Sequence, residues 1–350
     1  MNAPSRRAHP RPLDFKQGLV DLTHGGGGRA MAQLVDELFV AAFDNDLLRQ
    51  ANDQASFPAP QGRMVMSTDS YVISPLFFPG GDIGSLAVHG TVNDVAMAGA
   101  RPLYLSAGFI IEEGFPLADL QRIVQSMAAA SKAAGVPIIT GDTKVVEKGK
   151  GDGIFINTAG IGVIPEGLNI AGDLIRPGDA ILVSGTIGDH GVAVMSQRED
   201  LGFETSLLSD SAALHELVAA IVAAVPEIHC LRDPTRGGVA ATLNELALQS
   251  NVGLHLREAA LPIRPEVQGA CELLGLDPLY VANEGKLLAF CPADKAELLL
   301  ATLRAHPLGR EAAIIGIAVA DDHCFVTMET GMGGTRIVDW LAGEQLPRIC

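Results

Sequence analysis

Between residues 165 and 178 the chain interrupts its own pattern, and that interruption constrains the fold more than any other feature. Pro165, Gly167, Gly172, Pro177 and Gly178 fall together, a density of turn-formers that marks a connection. On both sides of it, apolar runs of strand length mix with stretches of helical period. A chain of 350 residues exceeds the roughly 250–300 at which single cores stop growing. The break therefore predicts two α+β domains, 22–170 and 171–329. Loose segments are expected at 1–21, where Arg6, Arg7 and Arg11 stand among Pro4, Pro10 and Pro12, and at 330–350, which opens on Gly331, Gly333 and Gly334.

In the first half, Met31, Leu34, Val35, Leu38 and Ala42 recur at helical spacing directly after the run Gly25–Gly28. Met64 to Ile73 predicts a strand with Asp69 near one end, and Ile83 to Ala98 a helix carrying Asn93 and Asp94. Pro102 stops that helix, and Leu103 to Ile111 reads as a strand. Leu117, Leu120, Ile123, Val124, Met127 and Ala130 mark the buried face of a third helix, ended by Gly135. A short strand, Val136 to Thr140, then runs into a loop, Gly141-Asp142-Thr143-Lys144, and Ile154 to Ile164 closes this half as a strand.

The second half opens with a strand, Ala180 to Val183, and the turn Ser184 to Gly191. Helices are expected at 211–224 and 237–249. The apolar runs Leu279 to Ala282 and Leu287 to Cys291 flank Asn283-Glu284-Gly285-Lys286, and Ile314 to Ala320 and Cys324 to Met328 predict closing strands.

A net charge of −16 lacks the clustered Lys and Arg that duplex recognition uses, so no nucleic-acid partner is expected. A polyphosphate stays compatible with that charge when carboxylate-held divalent metal supplies the positive charge. The five cysteines, Cys230, Cys271, Cys291, Cys324 and Cys350, are widely spaced with no Cys-x-x-Cys pair, which fits a reducing cytoplasm. The longest apolar runs, Val218 to Val225 and Ala312 to Ala320, fall short of the roughly 18 residues of a membrane span. No apolar stretch follows the N-terminal arginines, so no secretory signal is expected.

Chemistry is concentrated in Asp53, Asp69, Asp94, Asp142 and Asp233, each beside small or turn-forming residues. Taken singly, each reads more readily as a turn residue or helix cap. Taken together, carboxylates from separate elements can converge on Mg²⁺, which in turn bridges the oxygens of a nucleoside triphosphate. Gly-x-x-x-x-Gly-Lys-Ser/Thr is absent, so a P-loop is excluded. Lys144 and Arg236 are candidate phosphate ligands or solvated surface charges. Glu284, between two apolar runs, is expected at a strand end, where partial burial suits it to proton transfer; the alternative is a solvated turn residue. His24 and His190 flank glycine turns and take no assigned role. Four cysteines sit in apolar surroundings and fill the core, but Cys350, last in the chain beside Arg348, has no packing rationale.

Six motifs in order, Ser67-Thr68-Asp69-Ser70-Tyr71, Val92-Asn93-Asp94-Val95-Ala96, Gly141-Asp142-Thr143-Lys144-Val145, Asp233-Pro234-Thr235-Arg236-Gly237-Gly238, Ala282-Asn283-Glu284-Gly285-Lys286 and the terminal Pro347-Arg348-Ile349-Cys350, together resemble the HypE family of hydrogenase maturation factors. The similarity runs from about Leu22 to Cys350. The aspartate motifs are shared with aminoimidazole ribonucleotide synthetase, selenophosphate synthetase and thiamine monophosphate kinase, and the tail separates HypE from them. The resemblance implies a two-domain α+β fold of PurM type. In it the N-terminal sheets of a homodimer pair into a barrel, ATP binds near the interface, and the C-terminal domain is an α/β sandwich. It also implies a carbamoyl dehydratase, a lyase that turns a carbamoyl group on Cys350 into a thiocyanate. A HypF-type carbamoyltransferase loads the group, and a HypC–HypD complex accepts the cyanide for the iron of a [NiFe]-hydrogenase. By the same resemblance Asp53, Asp69, Asp94 and Asp233 hold Mg²⁺. Asp142, Lys144 and Arg236 join these aspartates around ATP, and Lys144, Glu284 and Asp94 act with Cys350 in catalysis. Rival readings are a phosphotransferase of the same superfamily acting on a free metabolite, and a non-catalytic docking protein whose C-terminal peptide a partner captures.

Overall fold

Every second residue of Ile154–Ile164 is buried, the alternation of a strand with one face on a core. In the computed structural model, which describes residues 11–198, 206–341, 343 and 348–350, this strand lies inside a four-stranded sheet. The first half runs as α1 (Arg29–Leu34), a π-helical stretch (Val35–Val40) and α2 (Ala41–Phe43), which together form the helix expected there. Then come β1 (Arg63–Tyr71), a small hairpin of β2 (Phe77–Phe78) and β3 (Gly81–Asp82), α3 (Ile83–Met97), β4 (Arg101–Glu112), α4 (Leu117–Ala134), β5 (Ile138–Val146) and β6 (Ile154–Ile164). The sheet order is β1-β6-β4-β5, antiparallel except for the β4–β5 pair, which α4 connects.

Asp82 caps α3 by accepting from Gly84 N at 2.8 Å and Ser85 N at 3.0 Å. That helix is buried on nearly every side, as a helix between two layers must be. One side faces β1, β6 and α4, while Val95, Ala96 and Met97 join the core of the second half. α4 is amphipathic and ends at Gly135 with φ 65°. The other face of the sheet is open, with Met66 70% and Ile110 47% exposed.

The second half comprises β7 (Asp179–Val183), α5 (Asp189–Met195), α6 (His215–Ala224), β8 (Cys230–Arg232), α7 (Gly238–Ser250), β9 (Gly253–Arg257), α8 (Pro265–Leu274), β10 (Leu288–Pro292), α9 (Ala296–Ala305), β11 (Ala313–Val319), β12 (Val326–Glu329) and β13 (Thr335–Ile337). Its seven strands run β13-β12-β9-β11-β7-β10-β8. β7 is buried on both faces. Ala180 and Leu182 pack with α6 and α9, and Ile181 and Val183 with α7.

Four expectations change. Gly141-Asp142-Thr143-Lys144 is not a loop but the middle of β5. Glu284 is not at the end of a strand through Leu279 to Ala282, because Pro278–Tyr280 is a single 3₁₀ turn and β10 begins only at Leu288. Strands β8 and β9 and helices α8 and α9 were not foreseen. Within 330–350, β13 pairs antiparallel with β12 and residues 348–350 are docked on the fold, while 342 and 344–347 lie outside the described residues. Of the expected loose segment 1–21, residues 1–10 also lie outside them; Val20 is buried and its N–H donates to Phe115 O at 2.8 Å.

Candidate active site

Three loops and one helix meet at the edge strand β1. On α3, Asp94 Oδ2 accepts from Ser67 Oγ at 2.7 Å, so helix and strand hold it jointly. Asp69 lies on the same face of β1, two residues beyond Ser67, its Oδ1 accepting from Ser70 N at 2.7 Å. Asp233 follows β8 and opens the loop to α7, where Gly237 and Gly238 take φ of 73° and 61°. A Cβ on Gly238 would stand 2.5 Å from Leu279 O, so glycine is what lets this loop close on the segment before Glu284.

Asn283 ties the loops together. Its Oδ1 accepts from Gly188 N at 2.7 Å and its Nδ2 donates to Pro234 O at 2.9 Å. Glu284 beside it is 3% exposed and is held by its backbone. Its N–H donates to Asp210 Oδ1 at 3.0 Å, and its carbonyl accepts from Asn93 Nδ2 at 3.0 Å. A Cβ on the next residue, Gly285, would lie 1.8 Å from Asp210 O. The Oε1 atom of Glu284 is buried without a partner among the described residues.

The carboxyls raise one another. Burial, opposed by the bond from Ser67 and helped by Asp69, pushes Asp94 up; burial and then Asp94 push Asp233 up to about 7. Burial, followed by Asp210, Asp233, Asp69 and Asp94, holds Glu284 well above the carboxylate range. This is the electrostatic state of a site built to receive positive charge. Among the described residues, no three acidic, histidine or cysteine side chains converge closely enough to hold a metal by themselves.

Cys350 is seated beside this cluster. It shares a cavity of about 260 Å³ with Ser70, Arg236, Gly237, Tyr280 and Ala282. Burial and then Glu284 push its thiol up, Asp69 adds to this, and Arg236 opposes it. Asp69, Asp94, Asp233, Arg236, Glu284 and Cys350 are thus one electrostatic unit, drawn from both halves of the chain.

Three sequence candidates stand elsewhere in this chain. Asp53 is exposed on the loop before β1. Asp142 and Lys144 form an exposed ion pair at 2.5 Å, and Lys144 holds Asp142 below the usual carboxylate range. Strand register explains their separation. Asp142 aligns with Gly108, Asn157 and Ser70 on the open face, whereas Asp69 aligns with Thr158 and Ala107 on the face toward α3. Three strand spacings, roughly 14 Å, separate Ser70 from Asp142. Beside Asp142 lies an apolar slot of about 120 Å³ lined by Met31, Val35, Phe39, Phe43 and Phe109, part of it from the π-helical stretch, a feature frequent at functional sites.

Residues 51–164 match the family model described as AIR synthase related protein, N-terminal domain, and residues 176–329 match its C-terminal domain. The chain is 70% identical over 338 residues to the carbamoyl dehydratase HypE of Azotobacter vinelandii, spanning 97% of this chain and 99% of that protein. It belongs to the HypE carbamoyl dehydratase family. The Cupriavidus necator HypE is 66% identical over 351 residues, covering 100% of both. A crystal structure of HypE in complex with ATP superposes with a TM-score of 0.91 at 53% identity, covering 94% of this chain and 99% of that one. A HypE–HypF complex gives 0.77 at 51%, covering 88% and 99%. The two domains are therefore PurM-like, as the resemblance implied.

Sequence reasoning passed over several residues of this HypE-type site. Ser67 and Asn93 stood inside quoted motifs without a role, and Asp210 and Asn157 stood in none. Asn157 Nδ2 donates to Asp69 O at 2.9 Å and Ser70 Oγ at 3.0 Å, bracing the edge strand at the site. An amide within an apolar helical or strand run was the available signal, Asn93 being buried and Asn157 exposed on the open face of β6.

Proposed function

We propose that the chain binds ATP with Mg²⁺ and dehydrates a carbamoyl group carried on Cys350. Thiocarboxamide and ATP would give thiocyanate, ADP and phosphate. The observation that carries this reading is the seat of Cys350: the tail packs on the core through Ile349 and Cys350, contrary to the expectation of no packing rationale, and the seat brings the thiol to Glu284, Arg236 and Asp69. An amide oxygen is a poor leaving group. Transfer of the γ-phosphoryl group to it creates an imidate, and phosphate departs as the nitrogen gives up its protons. Glu284, held at its backbone by Asp210 and Asn93, is the acceptor of an amide proton, and its high proton affinity makes it a strong base once ionised. Arg236, at the lip of the cavity, pairs with the phosphoryl oxygens.

Asp69, Asp94 and Asp233 do not close on a metal by themselves, so in this reading they would share a divalent cation with the bound nucleotide. They would hold Mg²⁺ with Asp53 from its loop, and the ion neutralises phosphate charge when bound. The apolar slot beside Asp142 would take the adenine, and Lys144 and Ser70, on the same open face of the sheet, would bind on the phosphate side of it. In this reading Lys144 orients the reacting amide or the phosphates. Exposed Met64, Met66 and Ile110 form an uncovered apolar face of the kind that marks an interface, so a second copy covers this sheet and the barrel forms there. A HypF-type carbamoyltransferase loads Cys350, and a HypC–HypD complex takes the cyanide. The need for ATP and a reduced thiol places the reaction in the cytoplasm.

The test is mass spectrometry of the C-terminal peptide after incubation with the carbamoyltransferase, carbamoyl phosphate and ATP. A carbamoyl adduct that then loses water supports the reading. An adduct that persists with ATP and Mg²⁺ present refutes it.

A further inference from the structure

The last three residues lie against the segment after β1, with Arg348 in the left-handed region at φ 53°, and each of their carbonyls accepts a hydrogen bond. Ser74 N donates to Arg348 O at 3.1 Å and Val72 N to Cys350 O at 3.3 Å. The carbonyl between them, Ile349 O, is bonded from a different element. It accepts from His190 Nε2 at 2.8 Å. The Ile349 side chain is 4% exposed and enters the same core as Tyr71, Ile73 and Val192.

His190 is itself wholly enclosed, at 0% exposure, with Phe78 edge-on to its ring at 5.5 Å. A carbonyl oxygen cannot donate, so the ring proton is on Nε2. Nδ1 then accepts from Ser209 Oγ, 2.8 Å away. Burial lowers the pKa of the ring and keeps it neutral. Ser209 Oγ in turn accepts from Ser211 N at 3.1 Å. Between these two serines stands Asp210, which holds Glu284 N and pairs with Lys286 Nζ at 3.2 Å. Ser209, which orients the ring that grips the tail, and Asp210, which places Glu284, are thus adjacent residues of one segment.

We propose that His190 is a positioning residue that sets the register of the docked tail through the carbonyl preceding Cys350, with Ser209 fixing its tautomer. A tail shifted by one residue would lose these three carbonyl contacts together and carry the cysteine off its seat beside Glu284. The proposal rests on Cys350 being the carrier of the reacting group, but the seating itself is measurable without the reaction.

The experiment follows iodoacetamide labelling of Cys350 in the full-length protein, read by mass spectrometry of the C-terminal peptide. His190→Leu removes the donor, and labelling is expected to accelerate roughly tenfold, the scale of losing one buried hydrogen bond. His190→Gln keeps an N–H within reach and is expected to restore most of the protection. Ser209→Ala, at a half-buried loop position, leaves the ring free to change tautomer and is expected to fall between the two. In protein preloaded with the carbamoyl group, the single-turnover rate of water loss is expected to fall in the same order, with ATP affinity unchanged. Folded His190→Leu and Ser209→Ala proteins that label at the wild-type rate overturn the latch, and if His190→Leu does not fold, Ser209→Ala decides alone. A wild-type protein that forms no nitrile defeats the proposed reaction, while the labelling comparison still decides the role of His190.

Discussion

Asp233→Asn is expected to stabilise the metal-free protein, and to do so more as pH rises. The folded state holds the Asp233 proton up to about 7 against an ordinary value of 3.8. A group with a raised folded pKa binds its proton more tightly when folded. Its contribution is therefore intact below about pH 3.8 and declines as pH rises toward about 7, beyond which the loss is complete. At 1.36 kcal/mol per pH unit, the whole interval is worth about 4 kcal/mol. About 2 kcal/mol of that remains to be lost between about pH 5.5 and about pH 8. These are upper bounds, because Asp233 is only half-buried and shares its repulsion with Asp94. Asparagine carries no charge, so the variant escapes this loss and also relieves the repulsion that Asp233 exerts on Glu284, which acts in the same direction, while titrations away from this cluster cancel between the two proteins. The assay is urea unfolding in EDTA at both pH values, comparing midpoints. A stability difference that is the same at both refutes the reasoning, because it would mean that Asp233 is not held protonated by its neighbours. Addition of ATP and Mg²⁺ should stabilise the wild type and have little effect on the variant.

Glu284→Gln keeps the volume and the backbone bonds to Asp210 and Asn93, so nucleotide binding should survive while water loss from the carbamoyl adduct falls at least a hundredfold, a typical share for one acid–base group; normal cyanylation would remove Glu284 from the chemistry. Ile349→Ala deletes three buried carbons, about 2.4 kcal/mol at about 0.8 each, and should weaken tail docking roughly fiftyfold. Proteolytic release of the last residues by a carboxypeptidase measures that docking, and an unchanged rate would show that Ile349 does not anchor the tail. ATP with Mg²⁺ should slow alkylation of Cys350 further by covering its cavity, and labelling that ignores nucleotide would count against an inward seat during the reaction.

Much of the first half was legible because its periodicity is one-sided. Ile154 to Ile164 was read with the bounds that the structure gives, and Gly135 stopped α4 for a reason local to its own φ. Gly141 to Lys144 misled because Gly, Asp and Lys suggest a turn. Gly141 is instead a strand residue whose Cβ would meet Ala107 O at 2.3 Å, and Asp142 and Lys144 are polar because they occupy the sheet's open face. α9 did carry helical spacing in Leu299, Leu300 and Leu303 and was passed over. β8 is only three residues long, below the length at which a pattern can be counted. His190 could not be chosen from its neighbours in sequence, because its partners are 19 and 159 residues away.

The aspartates were read as a set, and the structure gives that set a cost that the sequence does not reveal. Asp94 comes from a helix shared by both cores, Asp233 from a sheet edge in the second half, and Asp69 from a sheet edge in the first. The halves share their cores: Val192, Met195, Val267 and Val281 pack among first-half residues, and Val95, Ala96 and Met97 among second-half ones, and this packing holds the carboxylates together. Their repulsion therefore falls on the contact between the two halves. A bound cation would relieve it at that same place. Binding energy is thereby coupled to how the halves meet, and the residues that brace the meeting are uncharged. Asn93 spans from α3 to the carbonyls of Ala212 and Glu284, and Asn283 joins the loops that carry Gly188 and Pro234. Neutral amides keep the geometry fixed while the charges around them change with each step of the cycle, which is why amides serve there better than further ion pairs.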